Sequence, residues 1–587
     1  MRQIASSSAA YIIIILLAIQ ARGPIIRNLP DIPNLLAFCW QLVASVAVLA
    51  LAGGIAASLP GGGFNWIFYA ATIAIFIIYC HKYNKNLARK PRFNSLPSQL
   101  SCFCFLVLIF ITSLTASDIK LPYSGLADGP YVWKDWRFPV QQQALALNAP
   151  ADNSLPSVVA DFILHGTSFG EVRPVMPGQE ISNRPFLASL VILPLHEIGR
   201  TISNIQISSQ IPSFSYVGST WPDTFARISN LQFKLDFGGL YALNFLPIFP
   251  CLSLIELILM SNCDSSYANY QATHKRDSLR FYLIATLLIC LSPLYVFSVV
   301  FTWPKMLAIF FALTSMNTII YTSHRKDLIA ASGVGLSLSY LCHPMTIIMG
   351  PILAGVLILN NAKFARDTTS KCNHSNLLSL PLNSILIVLP IIIVSLLWKI
   401  WYTHAGVPAP NLFAQNFSQG SLSNLESLIA RIASLGDLFS VTPALNATAL
   451  SVLRTLGLLS HEVNPQEQVI FGRFLTTSFS MPFLLLAPLS AFLYGRMLNS
   501  SGLLNRAKIS IFAVSSCLAI ALAYTFSRGG IILWHGYMCA LLPFAAYLLA
   551  CQWLQAKRDD DFLFFNGVAF GFIALNLVFF RYWAAIT

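Results

Sequence analysis

The run PFLASLVILPLHEIG, Pro185 to Gly199, decides how this chain is laid across a membrane. It is apolar enough to be read as a short crossing. The basic clusters around it settle the choice. His81, Lys82, Lys85, Arg89, Lys90 and Arg92 form one cluster, and Lys275, Arg276 and Arg280 another. Arg325 and Lys326 follow, then Lys363, Arg366 and Lys371, then Arg496, Arg506 and Lys508, then Lys557 and Arg558. All of them fall on one side if 185–199 does not cross, and that side is expected to be cytoplasmic. The run is therefore read as a re-entrant or interfacial segment.

The remaining apolar runs lie near 10–21, 34–58, 64–80, 100–116, 238–261, 279–302, 304–322, 328–343, 346–360, 377–402, 471–494, 507–527, 531–552 and 562–585. They predict an all-α polytopic membrane protein of about 14 transmembrane helices. The start, MRQIASSSAAYIIIILLAIQA, reads as a short first span and resembles a signal peptide only loosely. Composition agrees: 56% of the 587 residues are hydrophobic and 10% charged, against roughly 25% charged in soluble proteins. A β-barrel would show short alternating segments instead. The net charge of +13 sits in short inter-span clusters without interleaved aromatics, which excludes a nucleic-acid partner. The twelve cysteines lie mostly in apolar runs and show no zinc spacing or disulfide framework.

Four regions follow: N-terminal spans with a basic loop (1–99), a core (100–402) holding a first extracytoplasmic loop near 117–237, a second such loop (403–470), and C-terminal spans (471–587). Loops of this length are usually functional. The first contains VWKDWRFPVQQQ, Val132 to Gln143, where Trp133 and Trp136 favour headgroup height. It also contains NSLPSVVADFILHG, a short interfacial helix. Asn153 or Ser154 can cap it, Val158, Val159, Phe162 and Ile163 form its apolar face, and Gly166 ends it. Asp161 and His165 share its other face. Such a helix is expected to lie flat on the bilayer, among membrane lipids.

This layout resembles the GT-C superfamily of membrane glycosyltransferases. The resemblance rests on Asp118, Asp128 and Asp135 soon after the fourth span, on the flat helix, and on Asn183-Arg184-Pro185. It rests also on FTWPKMLAIFFAL (Phe301 to Leu313) and LSLSYLCHPMT (Leu336 to Thr346). The chain departs from the family in having three spans before the loop-bearing helix and no clean Asp-Glu pair. The resemblance implies inverting transfer of a sugar from a polyprenyl-phosphate donor to a glycan, lipid or protein acceptor. The transfer would occur at the outer face, in a bacterial inner membrane facing the periplasm. It implies a carboxylate base, for which Asp135, Asp118 and Asp128 are the candidates. It implies a second acid that orients the acceptor or holds a divalent ion, for which Asp223 and then Asp161 are the candidates. Mg²⁺ or Mn²⁺ is the cofactor such a site allows, although no dense carboxylate cluster demands one.

A lipid phosphate needs cations at the outer boundary. Arg528 in FSRGGIILWHGY sits there against the positive-inside bias, and Arg binds phosphate well. Lys305, Arg184 and His535 are further candidates, with His343 at the outer end of the eighth span. In the second loop, Glu462 and Glu467 are expected to be solvated. Walker A, HExxH, GxSxG and dinucleotide-binding motifs are absent from the sequence. Two other readings stay open: a transporter or lipid flippase, and a polysaccharide polymerase or ligase of the O-antigen type.

Overall fold

A computed structural model describes residues 2–28, 32–58, 64–87, 96–114, 155–166, 186–202, 237–261, 267–300, 304–321, 325–343, 349–356, 379–404, 442–460, 513–519, 534–559 and 562–581. It also describes isolated positions at 429, 467, 470–471, 474, 480 and 511. Every regular element among these is helical. Helices α1 (Arg2–Gln20), α2 (Arg22–Asn28), α3 (Asn34–Ser58), α4 (Trp66–Leu87) and α5 (Leu96–Leu114) precede the first long inter-span segment. Within it lie α6 (Leu155–His165) and α7 (Leu187–Ile202). Then come α8 (Gly238–Phe245), α9 (Ile248–Ser261), α10 (Tyr267–Cys290), α11 (Pro293–Val300), α12 (Lys305–Tyr321) and α13 (Lys326–Cys342). The series ends with α14 (Ser379–His404), α15 (Thr442–Thr455), α16 (Trp534–Asp559) and α17 (Phe562–Arg581).

Among the described residues, four helical segments are long and apolar enough to cross a membrane: Asn34–Ser58, Trp66–Lys85, Leu96–Leu114 and Gly238–Met260. A fifth is added if Leu279–Cys290 and Pro293–Val300, bent by 69°, form one broken span. Proline explains the break, since it cannot continue a helix hydrogen-bond ladder. The outer surfaces support a membrane setting. Ile67, Ile75 and Ile78 of α4 and Ile385, Leu389, Leu396 and Ile400 of α14 are exposed. In water such faces would be a large aggregation-prone patch, whereas hydrocarbon covers them without cost. The expected runs at 471–494 and 507–527 fall largely outside the described residues, and that at 346–360 is described over 349–356. One element is longer than its apolar run: α10 begins at Tyr267, so Lys275, Arg276 and Arg280 stand on a helix and not in a loop.

The core sits where α3, α8, α9, α10, α12 and α16 meet. Phe245, Phe249, Phe281, Tyr295 and Phe310 are fully buried there. Phe281 stacks on Trp553 with ring centroids 4.5 Å apart and planes 7° from parallel. Because hydrocarbon offers no hydrophobic drive between helices, polar clasps and close backbone approach hold the bundle. The Tyr295 hydroxyl donates to Phe245 O at 2.9 Å, Trp40 Nε1 to Thr318 Oγ1 at 2.9 Å, and Asn317 Nδ2 to Pro250 O at 2.7 Å.

These clasps align the ends. Asn84, late in α4, donates to Gln20 O at the end of α1, and Glu256, late in α9, meets Leu35 at the start of α3. At the opposite end, Gly238 abuts Ser6 near the start of α1, and Gly53, late in α3, abuts Leu190 of α7. Ser339, late in α13, donates to Ala308 O early in α12, which brings Lys305 and His343 to that same end.

Two contacts share one device. Pro194 within α7 supplies no N–H to the Leu190 carbonyl four residues earlier. That oxygen faces Gly53 of α3, where an added Cβ would stand 2.6 Å from it. Pro390 within α14 likewise supplies none to Leu386 O, and that oxygen faces Gly333 of α13, where a Cβ would stand 2.7 Å away.

Candidate functional site

The site is built by α6 and α7, which pack on each other at the bundle end that also holds the start of α8. Helix α6 forms over the expected span. Pro156 is tolerated in its first turn, Val159, Ala160 and Phe162 are buried, and Gly166 closes it at φ +65°. Glycine is suited to that left-handed turn. Helix α7 is buried along Leu187, Val191, Ile192 and Leu195 against α1, α3 and α8. At 16 residues it is too short to cross by itself.

One expectation is corrected here. Asp161 is expected with His165 on the face of α6 opposite its apolar one, yet Asp161 is 7% exposed. The reason is α7, which covers that face of α6 and brings His196 over the carboxylate. Asp161 Oδ1 lies 3.5 Å from His165 Nδ1 and 3.6 Å from His196 Nε2. The His196 side chain is wholly buried, and that of His165 is 43% exposed. Both separations exceed ordinary hydrogen-bond lengths. Neither ring nitrogen of His196 nor Asp161 Oδ1 has a hydrogen-bond partner among the described residues. An unsatisfied buried polar atom costs about 1–3 kcal/mol, so several at one spot make this the place in α6 and α7 that calls for an explanation beyond packing.

The tautomer of His165 follows from geometry. Its Nδ1 lies 2.8 Å from the Asp161 backbone carbonyl oxygen, which can only accept. Nδ1 therefore carries the hydrogen, and in the neutral ring Nε2 carries the lone pair. A half-exposed imidazole whose Nε2 carries the lone pair thus stands at the end of α6, with the buried Asp161 carboxylate beside its Nδ1. His196 Nε2 stands 3.6 Å from the same carboxylate oxygen.

Of the other expected site residues, Asp118, Asp128, Asp135, Arg184, Asp223 and Arg528 lie outside the described residues. Lys305 is the first residue of α12 and is buried, within electrostatic reach of Cys539 on α16. His535 is placed in the first turn of α16, one turn before Cys539. His343 directly follows α13 and is buried. Among the described residues no group of three or more His, Cys, Asp or Glu is arranged to hold a metal ion.

Sequence reasoning missed His196, Glu256 and Arg454. The first two carry a legible signal, an ionisable side chain inside an apolar run. Glu467 is also corrected. It is not solvated, because its carboxylate pairs with the guanidinium of buried Arg454. No family model matches the chain, and neither a curated protein nor a solved structure matches it.

Proposed function

We propose that this chain is an integral-membrane glycosyltransferase that moves a sugar from a polyprenyl-phosphate donor to an acceptor hydroxyl or amine at the extracytoplasmic face. The observation that carries the reading is the buried Asp161 carboxylate between His165 and His196. Transfer to a hydroxyl needs a proton acceptor within hydrogen-bond reach of the nucleophile. His165 Nε2 is suited to that role. The acceptor oxygen attacks the anomeric carbon, the bond from that carbon to the phosphate oxygen breaks, and the acceptor's proton passes to Nε2. Asp161 stabilises the imidazolium that results. The centre stands at the bundle end that the basic-loop pattern assigns to the exterior. Lys305, at that same end, is the described cation that suits the departing lipid phosphate, with Arg528 and Arg184 as further candidates. Asp135, Asp118 and Asp128 remain candidates for a carboxylate that acts with this centre, and Asp223 for acceptor orientation.

The test is transfer of a radiolabelled hexose from polyprenyl phosphate by the purified chain in proteoliposomes. Removing a general base costs about 10²–10⁴ in rate, and His165→Gln and Asp161→Asn should each show a loss of that order while expression persists. Full transfer by both variants would sink the proton-transfer role. Flux of the lipid or sugar across the bilayer with no glycosidic product would sink the transferase reading altogether.

A further inference from the structure

Residues 442–460 are arranged inside out for a segment in water. Their one charged residue, Arg454, is 2% exposed. It is drawn inward, with Nε donating to Ser460 O at 2.9 Å and its guanidinium paired with Glu467. The leucines do the reverse. Leu445 is 61% exposed, Leu456 66% and Leu458 67%. Ala444, Ala447, Ser451 and Arg454 form the inward face of α15, while Leu445, Ala449 and Leu453 line the outward one and Leu456, in the turn just after it, is exposed as well. Their spacing keeps them on a single stripe.

The C-terminal cap extends that stripe. Gly457, at φ +74°, lets its N–H reach Arg454 O at 3.0 Å and the Leu458 N–H reach Leu453 O at 2.9 Å. This closure sets Leu458 beside Leu453. In water, burying the leucines and exposing the arginine would be favoured, since apolar area carries roughly 25 cal/mol per Å². The helix does the opposite and spends a buried ion pair to do so. It packs on α17, which itself turns Leu563, Phe570 and Leu577 outward.

We propose that α15 is an interfacial helix whose leucine stripe is sunk in the acyl chains of the same membrane that surrounds the bundle, where the sequence suggested a hydrated loop. Its 14 residues span roughly 21 Å at 1.5 Å each, short of the ~30 Å hydrocarbon core, so it lies in a leaflet and does not cross. Lipid is the occupant that fits. The exposed polar residues beside the stripe, Thr442, Asn446 and Thr455, are uncharged, and the helix's one charge, Arg454, is withdrawn, so the outward side lacks the charged rim that a protein partner would meet. The proposal holds whatever reaction the chain performs.

The experiment uses the full chain in vesicles of phosphatidylcholine and phosphatidylglycerol. A photoreactive benzoylphenylalanine replaces Leu453 or Leu456, and a control replaces exposed Asp327. Irradiation is expected to shift the 442–460 peptide by the mass of one phospholipid for the two leucine positions and not for Asp327. The unsubstituted chain, irradiated with a diazirine-bearing phosphatidylcholine, should carry lipid adducts on the same peptide, which guards against a variant that fails to fold. Crosslinking to a second copy of the chain, or the absence of lipid adducts on 442–460 in both formats, overturns the proposal.

Discussion

The Glu256 carboxylate, late in α9, accepts a hydrogen bond from the Leu35 backbone N–H at 3.0 Å, in the first turn of α3. A helix leaves its first N–H groups without internal partners, and the positive end of its dipole favours an anion there. Glu256 meets both demands from a neighbouring span, although it is itself 2% exposed. Glu256→Ala should lower stability by about 1–3 kcal/mol, read as the aggregation midpoint of the detergent-solubilised chain on heating. Glu256→Gln keeps an acceptor oxygen and should cost less. Equal losses for the two variants would show that the charge, and not the cap, matters.

Glycines at the helix crossings should differ by what faces them. Gly53→Ala and Gly333→Ala each push a methyl group toward a backbone carbonyl, which cannot swing away, and should cost about 1–3 kcal/mol. Gly335 faces the hydroxyl of Ser315, the end of a small side chain, so Gly335→Ala should cost less. The same thermal assay ranks the three.

Breaking the Arg454–Glu467 pair from one side should be worse than removing it. Arg454→Ala or Glu467→Ala leaves an uncompensated buried charge and is expected to cost about 3–5 kcal/mol, while the double variant Arg454→Met with Glu467→Leu costs less than either. Limited proteolysis of the 442–470 segment reports the difference as cleavage rate.

The Asp161 centre should trade stability against activity. His196→Leu removes a buried ring with no hydrogen bond, and stability should rise by about 0.5–2 kcal/mol. The proposed glycosyl transfer should fall, because the Asp161 carboxylate loses the ring that stands 3.6 Å from it. A variant that is both less stable and fully active would make His196 a packing residue only.

Much of the scaffold was legible because bilayers impose one rule, apolar runs of crossing length. The bounds of α3 follow from it directly. The reading of 185–199 as a segment that does not cross rests on the charge pattern around it, and the structure adds only that its helix, α7, is 16 residues long. The extent of α6 followed from its apolar spacing and from Gly166. What the sequence hid was pairing between elements. The period of α6 places Asp161 next to Phe162 but does not say that α7 roofs it, and nothing local ties Asp161 to His196. Arg454 carried no signal of its pairing in the sequence, because its partner, Glu467, lies beyond the helix end. Glu256 was visible as a charge in an apolar run, but its target at Leu35 was not.

The proline–carbonyl–glycine contacts have a consequence for how such chains change over time. Neither partner is free to drift alone. A new donor at position 194 would draw the Leu190 oxygen back into its own helix and leave Gly53 facing a gap, while a side chain at position 53 would meet an oxygen that has nowhere to turn. The same holds for Pro390 and Gly333. Each pair is expected to be kept or lost together, so that Pro194 in α7 and Pro390 in α14 each mark, four residues before them, the spot where the neighbouring helix has to stay bare.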